Sequence, residues 1–255
     1  VTQFTLAMDK KAHGPYMGAM RDLEHIKSSR IYGRRQGKPL KPSSQRRLEE
    51  WLPRLQLSKP ESGASLDPAE YFDRPYDGYT LEIGFGKGEH LAWQATHCPD
   101  WGHIGCEPFL NGVSGLVDKV VQERLENVRI FMDDARLLMG GLRDQCLDRA
   151  YILFPDPWPK KRHHKRRVIN PGNIRELARL LKCGAELRIA TDHRDYCRWI
   201  LSHMLQSEAF DWLAEGPADW HRRPDDWPPT RYEQKALEQG RRSTYLRFIR
   251  KPHRQ

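Results

Sequence analysis

The sequence has no apolar run near the roughly 18 residues that a membrane-spanning helix requires, so no membrane association is expected. No apolar h-region follows the first residue, Val1, which argues against a secretory leader. Cysteine is sparse: Cys98, Cys106, Cys146, Cys183 and Cys197 are odd in number, widely spaced and without a C-x-x-C. That excludes a disulfide framework and a cysteine-type zinc site, and it suits reduced thiols in a cytoplasmic protein. The histidines lack metal-ligand spacing, so no metal is expected. No internal repeat is present, which excludes a solenoid.

Cationic charge, by contrast, is plentiful. Lys and Arg number 43 against 34 Asp and Glu, a formal charge of +9 that favours a polyanionic partner. The composition shifts near residue 70. Between Arg21 and Arg54 ten basic residues stand against four acidic ones, and a Pro/Ser/Gly stretch follows at 58–68. Residues 1–70 therefore read as a basic N-terminal extension, partly disordered, frayed over 1–20. It carries one amphipathic helix over 43–57 (Leu48, Trp51, Leu52, Leu55), capped by Ser43 or Ser44 and cut short by Pro53.

From residue 71 onward short apolar runs alternate with helical stretches. Strands are predicted at Tyr79–Phe85, Gly102–Cys106, Val128–Met132, Ala150–Phe154, Glu186–Ala190, Phe210–Ala214 and Thr244–Ile249. Helices are predicted from the glycine loop to His97, and over Asn111–Arg124, Asn173–Leu181 and Tyr196–Leu205, with a last one before the final strand. This alternation predicts an α/β domain over 71–255, with a mostly parallel sheet covered on both faces.

Three features carry chemistry. Gly84, Gly86 and Gly88 form a G-x-G-x-G loop after the first strand, where a backbone can approach a nucleotide-like ligand. Glu89 stands where a dinucleotide fingerprint has its third glycine, which disfavours a nicotinamide oxidoreductase. Acids end successive strands: Glu82 before the loop, Glu107 after the second strand, Asp133 and Asp134 after the third. Each alone can be a capping acid. Together they outline a site for a cationic amino-acid group, ribose hydroxyls and an adenine amine, without a phosphate binder.

The third feature is FPDPWPKKRHHKRR, Phe154 to Arg167. Its prolines make a stiff loop around Asp156, and Trp158 either stacks on a base or packs within the loop. The run Lys160–Arg167 holds six cations in eight residues, and without it the charge falls from +9 to +3. Such a run is often only a solvated surface; beside a reactive loop it suits RNA phosphates. Asp192 ends the fifth strand, and Thr230 and Glu233 lie in DDWPPTRYE, where helix capping is an equally good account.

At these residues the sequence resembles the bacterial tRNA (guanine-N7-)-methyltransferase family, from about Arg30 to Lys251. The matching blocks are RIYGRRQGKPL, LEIGFGKGEHL, the acid of GCEP, DDAR, LFPDPWPKKRHHKRRVI, IATDHRDY and TRYEQKALEQGRRSTYLRF. The resemblance implies the class I methyltransferase sandwich, a seven-stranded sheet with one antiparallel strand, and S-adenosyl-L-methionine as cofactor. It places Glu82, Glu107, Asp134 and Asp156 at the cofactor, beside Gly84 and Gly86 of the loop, and gives Asp156 a catalytic role; a carboxylate that accepts the purine N1 and N2 hydrogens adds Asp192 as a second catalytic candidate. Lys160, Asp192 and Thr230, Arg231, Tyr232 and Glu233 fall at the substrate. Arg162, His163, His164, Lys165, Arg166 and Arg167 fall in the RNA-contacting loop.

The implied target is a variable-loop guanosine of tRNA, at tRNA position 46. A monomer is expected, with a homodimer as the alternative. Because N7 carries a lone pair and no proton, these residues are expected to position the base rather than deprotonate it. A methyltransferase for an exocyclic base amine and a non-catalytic RNA-binding module are the remaining readings.

Overall fold

Short apolar runs pair into one sheet in the computed structural model, which describes residues 34–252. The parallel strands in chain order are β1 (Gly78–Ile83), β2 (Trp101–Cys106), β3 (Val128–Phe131), β4 (Leu147–Leu153) and β5 (Leu181–Thr191). β6 (Phe210–Trp212) and β7 (Thr244–Arg250) complete the spatial order β3-β2-β1-β4-β5-β7-β6. Only β7 runs antiparallel to its neighbours, with Leu187 opposite Phe248 and Asp211 opposite Ile249. The order reverses between β1 and β4. Crossover loops leave there in opposite directions and open a crevice at the strands' carboxyl ends. This is the class I methyltransferase α/β fold.

Eight α-helices are described: α1 (Pro42–Leu55), α2 (Glu89–His97), α3 (Leu110–Glu123), α4 (Ala135–Met139), α5 (Pro171–Leu180), α6 (Arg194–Leu205), α7 (Ala218–His221) and α8 (Arg231–Glu238). One face of the sheet buries Leu81, Ile104, Ile152, Leu187 and Phe248 with Leu138 of α4, Leu177 of α5 and Ile200 of α6. The other face divides. Its β1–β3 half packs Val128 and Ile130 against Leu91 of α2, Val113 and Leu116 of α3, and Leu48 and Leu55 of α1. Its β4–β5–β7 half packs Tyr151, Ala190 and Tyr245 under Trp227.

Several expectations shift. α1 does not use Ser43 or Ser44 as its cap: Lys41 precedes it and Pro42 opens it. Ser44 Oγ instead donates to Asp118 Oδ2 of α3, 3.1 Å away. Pro53 does not cut the helix short. It sits in the last turn, where a missing N–H removes one bond, and Gln56 N still reaches Leu52 O at 2.7 Å. β5 starts five residues earlier than predicted, because Leu147 pairs Leu181 across an irregularity before Arg149 regains register with Glu186. α4, α7 and the 3-10 turns at Pro68–Tyr71 and Lys161–Arg166 were not predicted. The expectation for 1–20 and the first residues of the match at Arg30 lie outside the described residues. Among the described residues no helix is long and apolar enough to cross a membrane, and no cluster of three or more His, Cys, Asp or Glu has metal-site geometry.

Candidate active site

The crevice is built on the glycine loop between β1 and α2. Gly84, Gly86 and Gly88 all take positive φ (77°, 57° and 73°), which lets the chain double back over the strand ends. A side chain on Gly84 would point into open space, so this part of the loop borders a void. Gly86 and Lys87 instead lie against α3. A Cβ on Gly112 would sit 2.2 Å from Gly86 O, and one on Gly115 3.2 Å from Lys87 Cβ. Two helical glycines three residues apart thus seat the loop. Sequence reasoning missed them, although glycine at i and i+3 of a helix usually signals such packing.

Around this void stand the acids of the strand tips. Glu82 is 3% exposed on β1. Glu107 accepts from Gly86 N through Oε2 (2.9 Å) and from Phe109 N through Oε1 (3.0 Å). Each oxygen therefore keeps a lone pair for a ligand hydroxyl. Burial, with the negative charges of Asp156 and Glu82 nearby, pushes Glu107 up to about 7 despite those two N–H donors. Asp134 caps α4 by accepting from Arg136 N (3.0 Å) and also pairs with the Arg136 side chain. Asp133 accepts from Asp134 N at 2.8 Å.

Asp156 enters from the proline loop after β4. Phe154 and Trp158 bracket it with φ of 51° and 43°, a conformation that bulky residues adopt only when their surroundings impose it. The brace is Arg167. It is 3% exposed, donates from Nε to Pro157 O (2.8 Å), and lies over the rings of Tyr196 and Trp199 at 4.9 and 4.8 Å. Read from sequence as an RNA contact, Arg167 is here a buried clamp. Asp156 itself reaches solvent at the crevice rim, yet neighbouring protein still raises its pKa through desolvation.

The cations before Arg167 face outward. Lys160, Lys161, Arg162 and Lys165 are exposed on the 3-10 turn. His163 and His164 are half-buried, and desolvation, with repulsion from Arg166, Arg162, Lys160 and Lys165, lowers the pKa of His163. Trp158 packs within the loop, with the Arg166 guanidinium 4.9 Å above its ring.

Beside the glycine loop stands α8. Thr230 is its N-cap, accepting from Glu233 N at 3.3 Å. The Glu233 carboxylate is buried and accepts from Tyr245 OH (2.5 Å) and Arg223 Nη1 (2.9 Å). Both residues are occupied in holding the helix. Arg231 and Tyr232 remain exposed, Tyr232 by 52%, and the Tyr232 ring would lie 3.0 Å from a Cβ on Gly86. Tyr232 thus overhangs the glycine loop, and Glu107, Glu89 and Asp156 add to desolvation in raising its phenol pKa. Asp192, at the tip of β5, pairs with Arg241 at 2.8 Å. The supporting residues Arg223, Arg241 and Tyr245 had no local sequence signal.

The crevice thus offers Glu82, Glu107, Asp134 and Asp156 around a backbone turn. The residues fit S-adenosyl-L-methionine, whose sulfonium and ammonium charges would relieve the repulsion that Glu107 feels. Residues 77–246 match a family model described as "Putative methyltransferase". A tRNA (guanine-N(7)-)-methyltransferase of Rhodospirillum rubrum is 48% identical over 226 residues, covering 88% of this chain and 89% of that protein. The chain belongs to the tRNA (guanine-N7-)-methyltransferase family. A member from Zymomonas mobilis, also 48% identical, covers 87% of this chain and 94% of its own. Among solved structures, a 16S rRNA (adenine(1408)-N(1))-methyltransferase from Catenulisporales acidiphilia aligns with a TM-score of 0.52 at 16% identity. It covers 77% of this chain and 99% of that one, a likeness of fold alone.

Proposed function

We propose that this enzyme transfers a methyl group from S-adenosyl-L-methionine to N7 of a guanine in tRNA, with the variable-loop guanosine at position 46 as target. One observation carries the reading: an acid-lined crevice opens directly beside a stiff loop that continues into exposed cations. Glu82 would take the cofactor's ammonium group, Glu107 its ribose hydroxyls and Asp134 its adenine amine. When bound, the cofactor supplies an electrophilic methyl on a cationic sulfur.

The protein's part is placement. Guanine N7 presents a lone pair in the ring plane and no proton, so no general base is needed. Lys160, Lys161, Arg162 and Lys165 hold phosphates on either side of the target nucleotide. Asp156 and Asp192 receive the N1 and N2 hydrogens of the purine and stabilise the positive charge that grows on the ring. Tyr232 and Arg231 close over the glycine loop from α8. N7 lies on the Hoogsteen edge, so the base leaves its stack to reach the crevice.

The test is incubation with methyl-labelled S-adenosyl-L-methionine and unmodified tRNA, followed by nucleoside mapping. Label in 7-methylguanosine of the variable loop is the expected result. Label on an exocyclic amine, or none on RNA, overturns it.

A further inference from the structure

A buried chain of hydrogen bonds runs back from Glu82 through His90 and Gln94, two residues with no part in the roles above. We propose that His90, held in one tautomer by Gln94, is a positioning residue that fixes the Glu82 carboxylate for the cofactor's ammonium group. The proposal rests on the cofactor reading just given and names a residue that acts on the cofactor through another.

His90 lies in the first turn of α2 and is 2% exposed. Its Nδ1 is 2.7 Å from Glu82 Oε2. One turn further on the same helix face, Gln94 Nε2 lies 3.2 Å from His90 Nε2 and 2.9 Å from the backbone oxygen of Asp226. A carbonyl oxygen only accepts, so the Gln94 atom facing Asp226 is the amide nitrogen; the flipped amide would set two oxygens against each other. The second hydrogen of that amide then faces His90 Nε2, which accepts. The ring proton is left on Nδ1, aimed at Glu82. The edge of Tyr151 (ring centroids 4.5 Å apart) and Trp227 (6.2 Å) wall the imidazole, so it cannot turn over without displacing core side chains.

Two consequences follow. One carboxylate oxygen of Glu82 is fixed by the protein, while Oε1 has no hydrogen-bond partner among the described residues. A carboxylate held this way is oriented before the ligand arrives, so little is lost in ordering it on binding. The chain also ends on Asp226, in the proline-rich segment that leads into Thr230 and Tyr232. The acid on the cofactor side and the helix over the crevice therefore share one brace.

The test compares His90→Phe, His90→Asn and Gln94→Leu by calorimetry with two ligands, S-adenosylhomocysteine and 5′-methylthioadenosine, which lacks the amino group. His90→Phe is expected to weaken S-adenosylhomocysteine about tenfold or more, the scale of a hydrogen bond to a charged group. Its affinity for 5′-methylthioadenosine and for tRNA stays at the wild-type value. His90→Asn, whose amide can donate where Nδ1 does, restores most of the loss. In ¹⁵N spectra the wild-type ring carries its proton on Nδ1, and Gln94→Leu perturbs that signature.

Equal weakening of both ligands by His90→Phe, unchanged binding of S-adenosylhomocysteine, or a proton on Nε2 each overturns the proposal. Should His90→Phe not fold, the Asn and Leu variants carry the same comparison. A wild-type chain that binds no S-adenosylhomocysteine overturns the proposed function and this inference together, whereas wild-type binding unaffected in the variants overturns this inference alone.

Discussion

The two sides of the crevice, proposed for cofactor and for RNA, are built in opposite ways. On the cofactor side the working groups are carboxylates at strand tips, buried or half-buried and held by backbone N–H groups or by a histidine. On the RNA side the working groups are exposed, and it is their supports that are buried: Arg167 under the proline loop, Glu233 and Thr230 within α8. A small cofactor of fixed shape rewards prepared charges at fixed places. A long polyanion is met by many weakly fixed cations, each contributing a little and in a salt-dependent way. Variants on the two sides should therefore fail differently.

The largest effect is expected where the two sides meet. Asp156→Asn should slow single-turnover methyl transfer by about 100- to 1,000-fold, the usual scale for losing one group that stabilises developing charge. Asp192→Asn should fall in the same direction, since its partner Arg241 cannot accept hydrogens from a purine. Binding of S-adenosylhomocysteine and tRNA should change far less than the rate. Full rates in both variants would remove the carboxylates from the chemical step.

Next comes the outward face of the loop. Replacing Lys161, Arg162 and Lys165 together by Ala should weaken tRNA about tenfold or more at moderate salt. The slope of log affinity against log salt should become shallower by about 2 to 3, near one per lost phosphate contact. Cofactor affinity should not move. An unchanged slope would mean that these cations meet water and not phosphate.

On the cofactor side the distinguishing signature is pH. Glu107 has its pKa pushed up to about 7 by burial and by Asp156 and Glu82, against an ordinary 4.5. A cationic ligand favours the carboxylate, so below pH 7 binding must expel a proton. Affinity for S-adenosyl-L-methionine should rise as pH climbs from about 5 to 7, by up to about tenfold per unit, and then level off. The unliganded protein should show the opposite trend. An acid whose folded pKa lies above its unfolded one binds more protons when folded, so the melting temperature contribution falls as pH climbs from about 4.5 to 7. Glu107→Gln should flatten both curves; curves that keep their shape would assign the linkage to another group.

The same contrast governs what could be read from the sequence. The strand-tip acids and the glycine loop were legible because each follows an apolar run directly, so local pattern places them at the crevice. The fold followed from the same alternation, although β5 started earlier and α4 went unpredicted. The supports were not legible. Nothing near Arg167 announces that it folds back onto Pro157 O, and its place in a run of cations suggests the reverse. Glu233 finds Tyr245 and Arg223 only once β7 and the 222–230 segment have packed. His90 and Gln94 share a helix face, but that the face lies over Glu82 is a fact of tertiary packing. Residues proposed to touch ligand are announced locally; residues that hold them are placed by the whole fold.

Thr230 offers the finest test of that division, because capping and substrate contact predict different variants to fail. As the cap of α8 its hydroxyl accepts from Glu233 N. Thr230→Ser keeps the hydroxyl, and Thr230→Val keeps the shape without it. If capping is its contribution, the Ser variant behaves as wild type. The Val variant loses about 1 kcal/mol of stability and raises the KM for tRNA about fivefold as α8 frays and Tyr232 loses its place. Cofactor affinity stays fixed in both. A Val variant that melts like wild type yet turns over tRNA poorly would place the hydroxyl on the substrate, and would make the exposed and supporting roles on the RNA side overlap in a single residue.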